Sequence, residues 1–376
     1  MSYVPMVSIT ASAAATDITV TIDTGASVTL QDADGDGYYD IGTADELYAF
    51  AAEVDSGNTA INGELTADIV LNENLADKVN VAEDGTVSAD ASVRKWTPMG
   101  GAGGCEYKGT FDGDGHTITG LYSVVGESTY GGLIEWLASE GTVKNLKIRD
   151  FCLEGNYSGA IAGQNNGKII GCSISGTGIF DGSPELYVQF GGIVFENLGQ
   201  VTDCSISANL SLKGVGTFGG IVDSNYGTVT GCSNSGTLTG TKYVGGIVSF
   251  NYGIVTGCSN SGTVTGTEYV GGIAGYTDGT VSGCYNTGTV SGDATGDSSY
   301  AYVGGIAGYA DGTVSGCYNT GIVSGDATGD YSDAYVGGIA GDGSGTVSGC
   351  YNIGSIDSGG YSGGIAALAM GTYADC

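Results

Sequence analysis

The residues whose types and spacing speak most directly of chemistry are Asp32, Asp34, Asp36 and Asp40, in the stretch DADGDGYYD. With Gly37 they occupy the first, third, fifth, ninth and sixth places of a calcium-binding loop, and Tyr38 offers its backbone carbonyl from the seventh. The twelfth place, where a bidentate Glu would complete the shell, holds Thr43. Two readings stand: a calcium site, or an acidic turn that leads into the next element. A second, weaker candidate for the same ion is the set Asp293, Asp297, Asp326, Asp330 and Asp333, carried by the related loops GDATGDSSYAYV and GDATGDYSDAYV.

Tyrosine is the other signal, at 24 residues. Tyr243, Tyr269, Tyr302 and Tyr335 share one position of a repeating pattern; Tyr285, Tyr318 and Tyr351 share another, each directly after a cysteine. Exposed rows of this kind could contact sugar rings or a protein, because tyrosine joins a rigid apolar ring to a polar tip. The alternative is stacking between repeats that serves stability alone.

Hydrolytic chemistry has little to work with. His116, inside FDGDGHTITGL, is the sole histidine, so neither an HExxH zinc site nor a Ser-His-Asp relay elsewhere is available. A lone histidine between two strand-like runs reads as a turn residue.

What positions these side chains is a repeat. Cys172, Cys204, Cys232, Cys258, Cys284, Cys317 and Cys350 each close a short apolar run such as TVSGC. The step between them is 26 residues from Cys232 to Cys284 and 33 from Cys284 to Cys350, the difference lying in the two acidic loops. Units that change only by loop insertion cannot bury a hydrophobic face alone and must stack. Within YVGGIVSFNYGIVTGCSNSGTVTG, β-branched runs alternate with Gly, Asn and Ser, which predicts about three short strands per coil and no amphipathic helix. The predicted fold is all-β: a right-handed parallel β-helix (β-solenoid). In it the cysteines point inward as a ladder of thiols, a role Leu146 fills after GTVKN, and the tyrosines that follow them point outward. Cys105, Cys152 and Cys376 lie outside the repeat pattern and are the better candidates for disulfides.

The recurring Gly-Gly-Ile, at Gly219-Gly220-Ile221, Gly245-Gly246-Ile247, Gly271-Gly272-Ile273, Gly304-Gly305-Ile306 and Gly337-Gly338-Ile339, together with GTVSGC and NTGTVSG, resembles the GLUG motif repeat. The likeness covers about residues 130–372, with degenerate copies at Gly132, Ser158-Gly159-Ala160-Ile161, Gly191-Gly192-Ile193 and Gly363-Gly364-Ile365, and DGYYDIGTADELYAFAAEV resembles the segment that precedes such repeats. The resemblance implies a piece of a large secreted or wall-attached bacterial protein, a class that includes adhesins and some immunoglobulin-cleaving proteases. It implies a location more than a reaction.

Upstream, ITVTIDTGASVTL alternates like strands, and Thr43 with Glu46 forms a capping box ahead of Leu47, Phe50, Ala51 and Val54. One short helix is predicted over 44–55, as a cap on the open end of the first coil. The chain then divides into N-terminal strands and capping helix (1–60), first coils (61–129) and the repeat solenoid (130–376), continuous with one another.

Net charge is −31, and no Lys or Arg follows Lys242. Nucleic acid and anionic membrane surfaces would be repelled, and no run of apolar residues is long enough for membrane insertion. MSYVPMVSITASAAATD lacks the basic and apolar regions of a secretory signal, so export is not read directly. The expectation is a non-catalytic extracellular or cell-surface module, binding a glycan or a host or neighbour-cell protein, without a certain cofactor beyond the calcium reading. The alternative is a glycan-active β-helix enzyme, hydrolase or lyase, working through acids held roughly 5–9 Å apart.

Overall fold

The computed structural model describes residues 14–81, 87–126, 128–182 and 187–376. Residues 1–13, on which much of the reading about export rests, lie outside them.

The chain winds as a parallel β-solenoid. The coil that starts at Tyr243 shows the unit: strands Tyr243–Gly245, Val248–Asn251, Ile254–Thr256, Ser259–Asn260 and Thr263–Gly266. There are five segments where the punctuation of the sequence suggested about three. The extra breaks are sharp corners inside what read as single runs. One corner recurs just before the ladder cysteine, where Gly231, Gly257, Gly283, Gly316 and Gly349 take φ of 58–64°. Asn145, Asp203 and Asp375 hold the same corner at φ 53–55°, consistent with the tolerance of Asn and Asp for left-handed backbone.

Stacked coils build four sheets. A 9-stranded sheet carries Tyr243–Gly245, a second 9-stranded sheet carries Val248–Asn251, a 12-stranded sheet carries Ile254–Thr256, and the last two segments join a 17-stranded sheet. Pairing between coils is parallel and in register, as in Tyr243 with Tyr269, Val255 with Val281 and Asn260 with Asn286. Like residues therefore pile on like. The interior is one continuous core from Ile22 to Cys350, lined by columns such as Ile221, Ile247, Ile273, Ile306 and Ile339.

The N-terminal end matches the sequence reading in detail. Strands β1 (Ile18–Thr21) and β2 (Ser27–Leu30) form an antiparallel hairpin, and helix α1 spans Ala44–Asp55. Thr43 Oγ1 accepts the Glu46 N–H at 3.2 Å, while the Glu46 carboxylate reaches back to the Gly42 N–H at 2.9 Å. Leu47, Phe50, Ala51 and Val54 are all buried, with Phe50 against Phe111 and Tyr107 at ring separations of 5.8 and 6.1 Å. The helix thus closes the apolar interior of the first coils. The first strand of the 12-stranded sheet, Tyr39–Ile41, precedes α1, so coil pairing begins inside residues 1–60. A one-turn helix, α2 (Leu75–Lys78), was not foreseen.

The seven ladder cysteines are buried, and all ten cysteines are free thiols. Each ladder Sγ points at the carbonyl two residues earlier, as in Cys204 with Thr202 at 3.3 Å, and the N–H of Cys258, Cys284 and Cys317 meets the next Sγ at 3.4 Å. Burial pushes the Cys172 thiol well above its usual range. The sequence reading placed Cys376 off the ladder; the structure corrects this. Thr372–Ala374 pairs with Thr346–Ser348, Asp375 supplies the left-handed corner, and Cys376 Sγ faces the Val347 and Ala374 carbonyls at 3.6 and 3.2 Å. Asp in place of Gly before the cysteine had hidden the register. Cys152 is buried against Leu75, Val79 and Tyr122, where desolvation lifts its thiol to about 12, and Cys105 is half-buried.

Candidate functional site

The tyrosine row of the first sheet is built by the pairing register itself. Tyr243, Tyr269, Tyr302 and Tyr335 stack with centroids 4.5, 5.1 and 5.0 Å apart and ring planes within 9° of parallel. Tyr361 extends the row by a further 5.1 Å, a member the sequence reading missed because its coil departs from the YVGG pattern. On the neighbouring sheet, Phe250, Tyr276 and Tyr309 form a second column, with Tyr276 and Tyr309 at 5.5 Å. The two columns meet across the corner: Tyr243 with Phe250 at 4.6 Å, Tyr269 with Tyr309 at 6.0 Å, Tyr302 with Tyr309 at 6.4 Å. Tyr226 and Tyr252, both exposed and stacked at 5.1 Å, continue the surface through a 6.2 Å contact between Tyr252 and Tyr276. One contiguous aromatic face results.

Its chemistry follows from the stacking. Near-parallel rings at about 5 Å spend their π faces on one another, so edges and phenolic oxygens are what the row offers outward. Burial, the first cause, raises Tyr269, Tyr276 and Tyr302 to about 12, which keeps these hydroxyls neutral donors. Carboxylates line the rim: Asp311 lies 3.5 Å from the Tyr276 hydroxyl, and Glu268 and Asp342 act on the same rings. The face combines apolar edges with hydroxyls and negative charge.

The second predicted row lies elsewhere. Tyr285, Tyr318 and Tyr351 stack on the 17-stranded sheet at 5.1 Å per step and point outward as expected, with no ring contact to the first face among the described residues. A further aromatic group, Tyr130, Trp136, Tyr157 and Phe195, occupies the early coils on the same two sheets as the main face. Gln189 and Thr217 take the tyrosine position in the two coils between.

The acidic turn gathers three of its carboxylates. One carboxylate oxygen from each of Asp32, Asp34 and Asp36 lies within 4.8 Å of the others. Backbone N–H groups of Ala15, Gly35, Asp36 and Gly37 bond Asp32, and that of Tyr38 bonds Asp36. Asp40 accepts the Ala33 N–H at 2.8 Å, and Thr43 is engaged as helix cap. Beside the turn stands Glu64, whose carboxyl is lifted to about 7, by desolvation first and then by Asp36, Asp34, Asp40 and Asp114. The second acidic set also stacks: the Asp326 N–H bonds Asp293 at 3.1 Å and the Asp330 N–H bonds Asp297 at 3.0 Å. His116 sits 3.4 Å from Asp68 at the surface. Asp55, bonded by the Gly100 N–H at 2.8 Å, and Glu135 are both shifted upward by burial, and the Asp55 charge adds to the shift of Glu135.

Two asparagine ladders were missed. Asn165, Asn197, Asn225 and Asn251 hand amide to carbonyl at 2.7–2.8 Å, and Asn234, Asn260, Asn286, Asn319 and Asn352 do the same. The signal was present: in the second set an Asn follows each ladder cysteine by two residues, a spacing that had read as turn punctuation.

Residues 266–291 match the GLUG motif, which bears out the resemblance read from the sequence. Halomucin of Haloquadratum walsbyi is 32% identical over 180 residues, or 44% of this chain and 2% of that protein, so the chain spans a small fraction of this relative's length. A solved structure of a candidate immunoglobulin A1 protease from Bacteroides ovatus is similar at a TM-score of 0.38 and 17% identity, over 90% of this chain and 84% of that one.

Proposed function

We propose that the chain is a non-catalytic extracellular binding and spacer module of a bacterial surface protein, whose stiff coils present a repetitive tyrosine-rich, acidic face to a glycan or to a protein of a host or neighbouring cell. The observation that carries this reading is the joining of two tyrosine columns into one outward aromatic face across the corner at Tyr269 and Tyr309. The GLUG match and the likeness to halomucin support a surface or secreted setting. A glycan array and a turnover assay on one purified sample test it. Saturable binding without product supports the module; product release favours the glycan-active alternative, for which Asp55 and Glu135 are the acids to replace first.

A calcium ion at the acidic turn belongs to the same reading. It would draw on Asp32, Asp34, Asp36, Asp40 and the Tyr38 carbonyl, and would relieve the repulsion that Asp34, Asp36 and Asp40 exert on Glu64.

A further inference from the structure

The row Tyr285, Tyr318 and Tyr351 stands apart from the main aromatic face, and its rings are nearer to parallel. Their planes are inclined by 4° and 5° and their centroids lie 5.1 Å apart at both steps. Backbone register holds them there, Tyr285 beside Tyr318 and Tyr318 beside Tyr351. Rings of the main face are flanked by Phe250, Tyr276 and Tyr309, and burial acts on several of their hydroxyls. In this row the rings make ring contacts only with one another among the described residues; Tyr351 is exposed and the other two are half-buried. Ser173, Ser205, Ser233 and Ser259 hold the same position in the earlier coils, and tyrosine enters at Tyr285. The coils the row spans, Tyr285 to Tyr318 and Tyr318 to Tyr351, are the two of 33 residues that carry the acidic loops. All ten cysteines are free thiols, so no disulfide ties one coil to the next.

We propose that this row is an oxidative cross-linking site, at which Tyr318 becomes joined to Tyr285 or to Tyr351 as dityrosine. The co-reactant is a one-electron oxidant of the peroxidase class acting with hydrogen peroxide. It removes one electron and the phenolic proton from each of two neighbouring rings. The two phenoxyl radicals pair their odd electrons in a carbon-carbon bond between positions ortho to the oxygens. Each of those carbons then gives up its proton and each oxygen regains one, which restores both phenols. The pair has lost two hydrogen atoms, and one hydrogen peroxide is reduced to two waters. In-register stacking supplies the proximity that coupling of two short-lived radicals demands. Rotation about the side-chain torsions carries the ortho carbons from stacked spacing to bonding distance, a motion open to rings at a surface. Each bond closes a loop of 33 residues and so restricts the unfolded chain.

The site is independent of what the main aromatic face binds and is tested without a ligand. The whole chain, at a dilution where collisions between chains are rare, is treated with a haem peroxidase and hydrogen peroxide. The monomer fraction is then digested with a protease that cuts at aspartate, because no Lys or Arg follows Lys242. Mass spectrometry is expected to find the Tyr318 peptide joined to that of Tyr285 or Tyr351, with the loss of two hydrogens. The bridged chain is expected to show dityrosine fluorescence and a raised Tm. Tyr318→Phe keeps the stacked ring but has no phenolic proton to lose, and it abolishes these bridges; Tyr285→Phe leaves the one between Tyr318 and Tyr351. Mapping on the wild-type chain decides the matter without either variant. A Tyr318 peptide that stays unbridged, or dityrosine found only between separate chains, overturns the proposal.

Discussion

Tyr309 stands edge-on to Tyr269 across the corner between two sheets, ring centroids 6.0 Å apart and planes at 74°. This contact ties a column of tyrosines on one sheet to a column on the next. It makes the aromatic face a surface two strands wide instead of a single rib.

If that face is the binding surface, replacing Tyr269, Tyr302 and Tyr309 together by Ala lowers affinity for the array-identified ligand by about tenfold or more, as expected for loss of central aromatic anchors. The matched triple Tyr285→Ala, Tyr318→Ala and Tyr351→Ala leaves it within about twofold. The reverse ranking, read by titration of both variants, moves the site to the second row.

Asn260 both receives the Asn234 amide and donates to Asn286, each at 2.7 Å and fully buried. Asn260→Ala strands a donor and an acceptor, each worth about 1–3 kcal/mol when left buried and unbonded. Denaturant unfolding is expected to show a loss of about 2–6 kcal/mol on that basis. Asn352→Ala, where the ladder ends, costs less, because it strands only the Asn319 amide on the ladder. Equal, small losses at both positions would count against a cooperative ladder.

Glu64 gives stability a pH dependence of definite sign. Its carboxyl rises from 4.5 to about 7 in the folded chain, so between those values the folded state binds more protons than the unfolded one. Stability therefore falls as pH rises through that window. Glu64→Gln flattens this part of the Tm profile at low salt. An unchanged slope in the variant would show that the acids around the turn do not set it.

Calcium is expected to raise Tm in the wild-type chain and to relieve the same loss between pH 4.5 and about 7, since it would neutralise the acids that act on Glu64. Asp34→Asn with Asp36→Asn removes the response. A melting temperature indifferent to both calcium and chelator removes the ion from the proposal.

Much of this architecture is written along the chain. The spacing of Cys232, Cys258, Cys284, Cys317 and Cys350 fixes which residues stack on which, and with it the solenoid, the inward thiols and the two tyrosine rows. Thr43, Glu46 and the apolar stripe behind them determine α1 to the residue, because capping and amphipathicity act within a few positions. A period says what lies above and below a residue along the axis. It does not say which column faces which across a corner. That depends on how sharply glycine-bearing turns fold one sheet against the next, and only the tertiary structure decides it: the meeting of Tyr269 with Tyr309, the closing of Thr217 and Ser249 around Asp223, and the return of Cys376 to the ladder behind an Asp where the repeat has Gly.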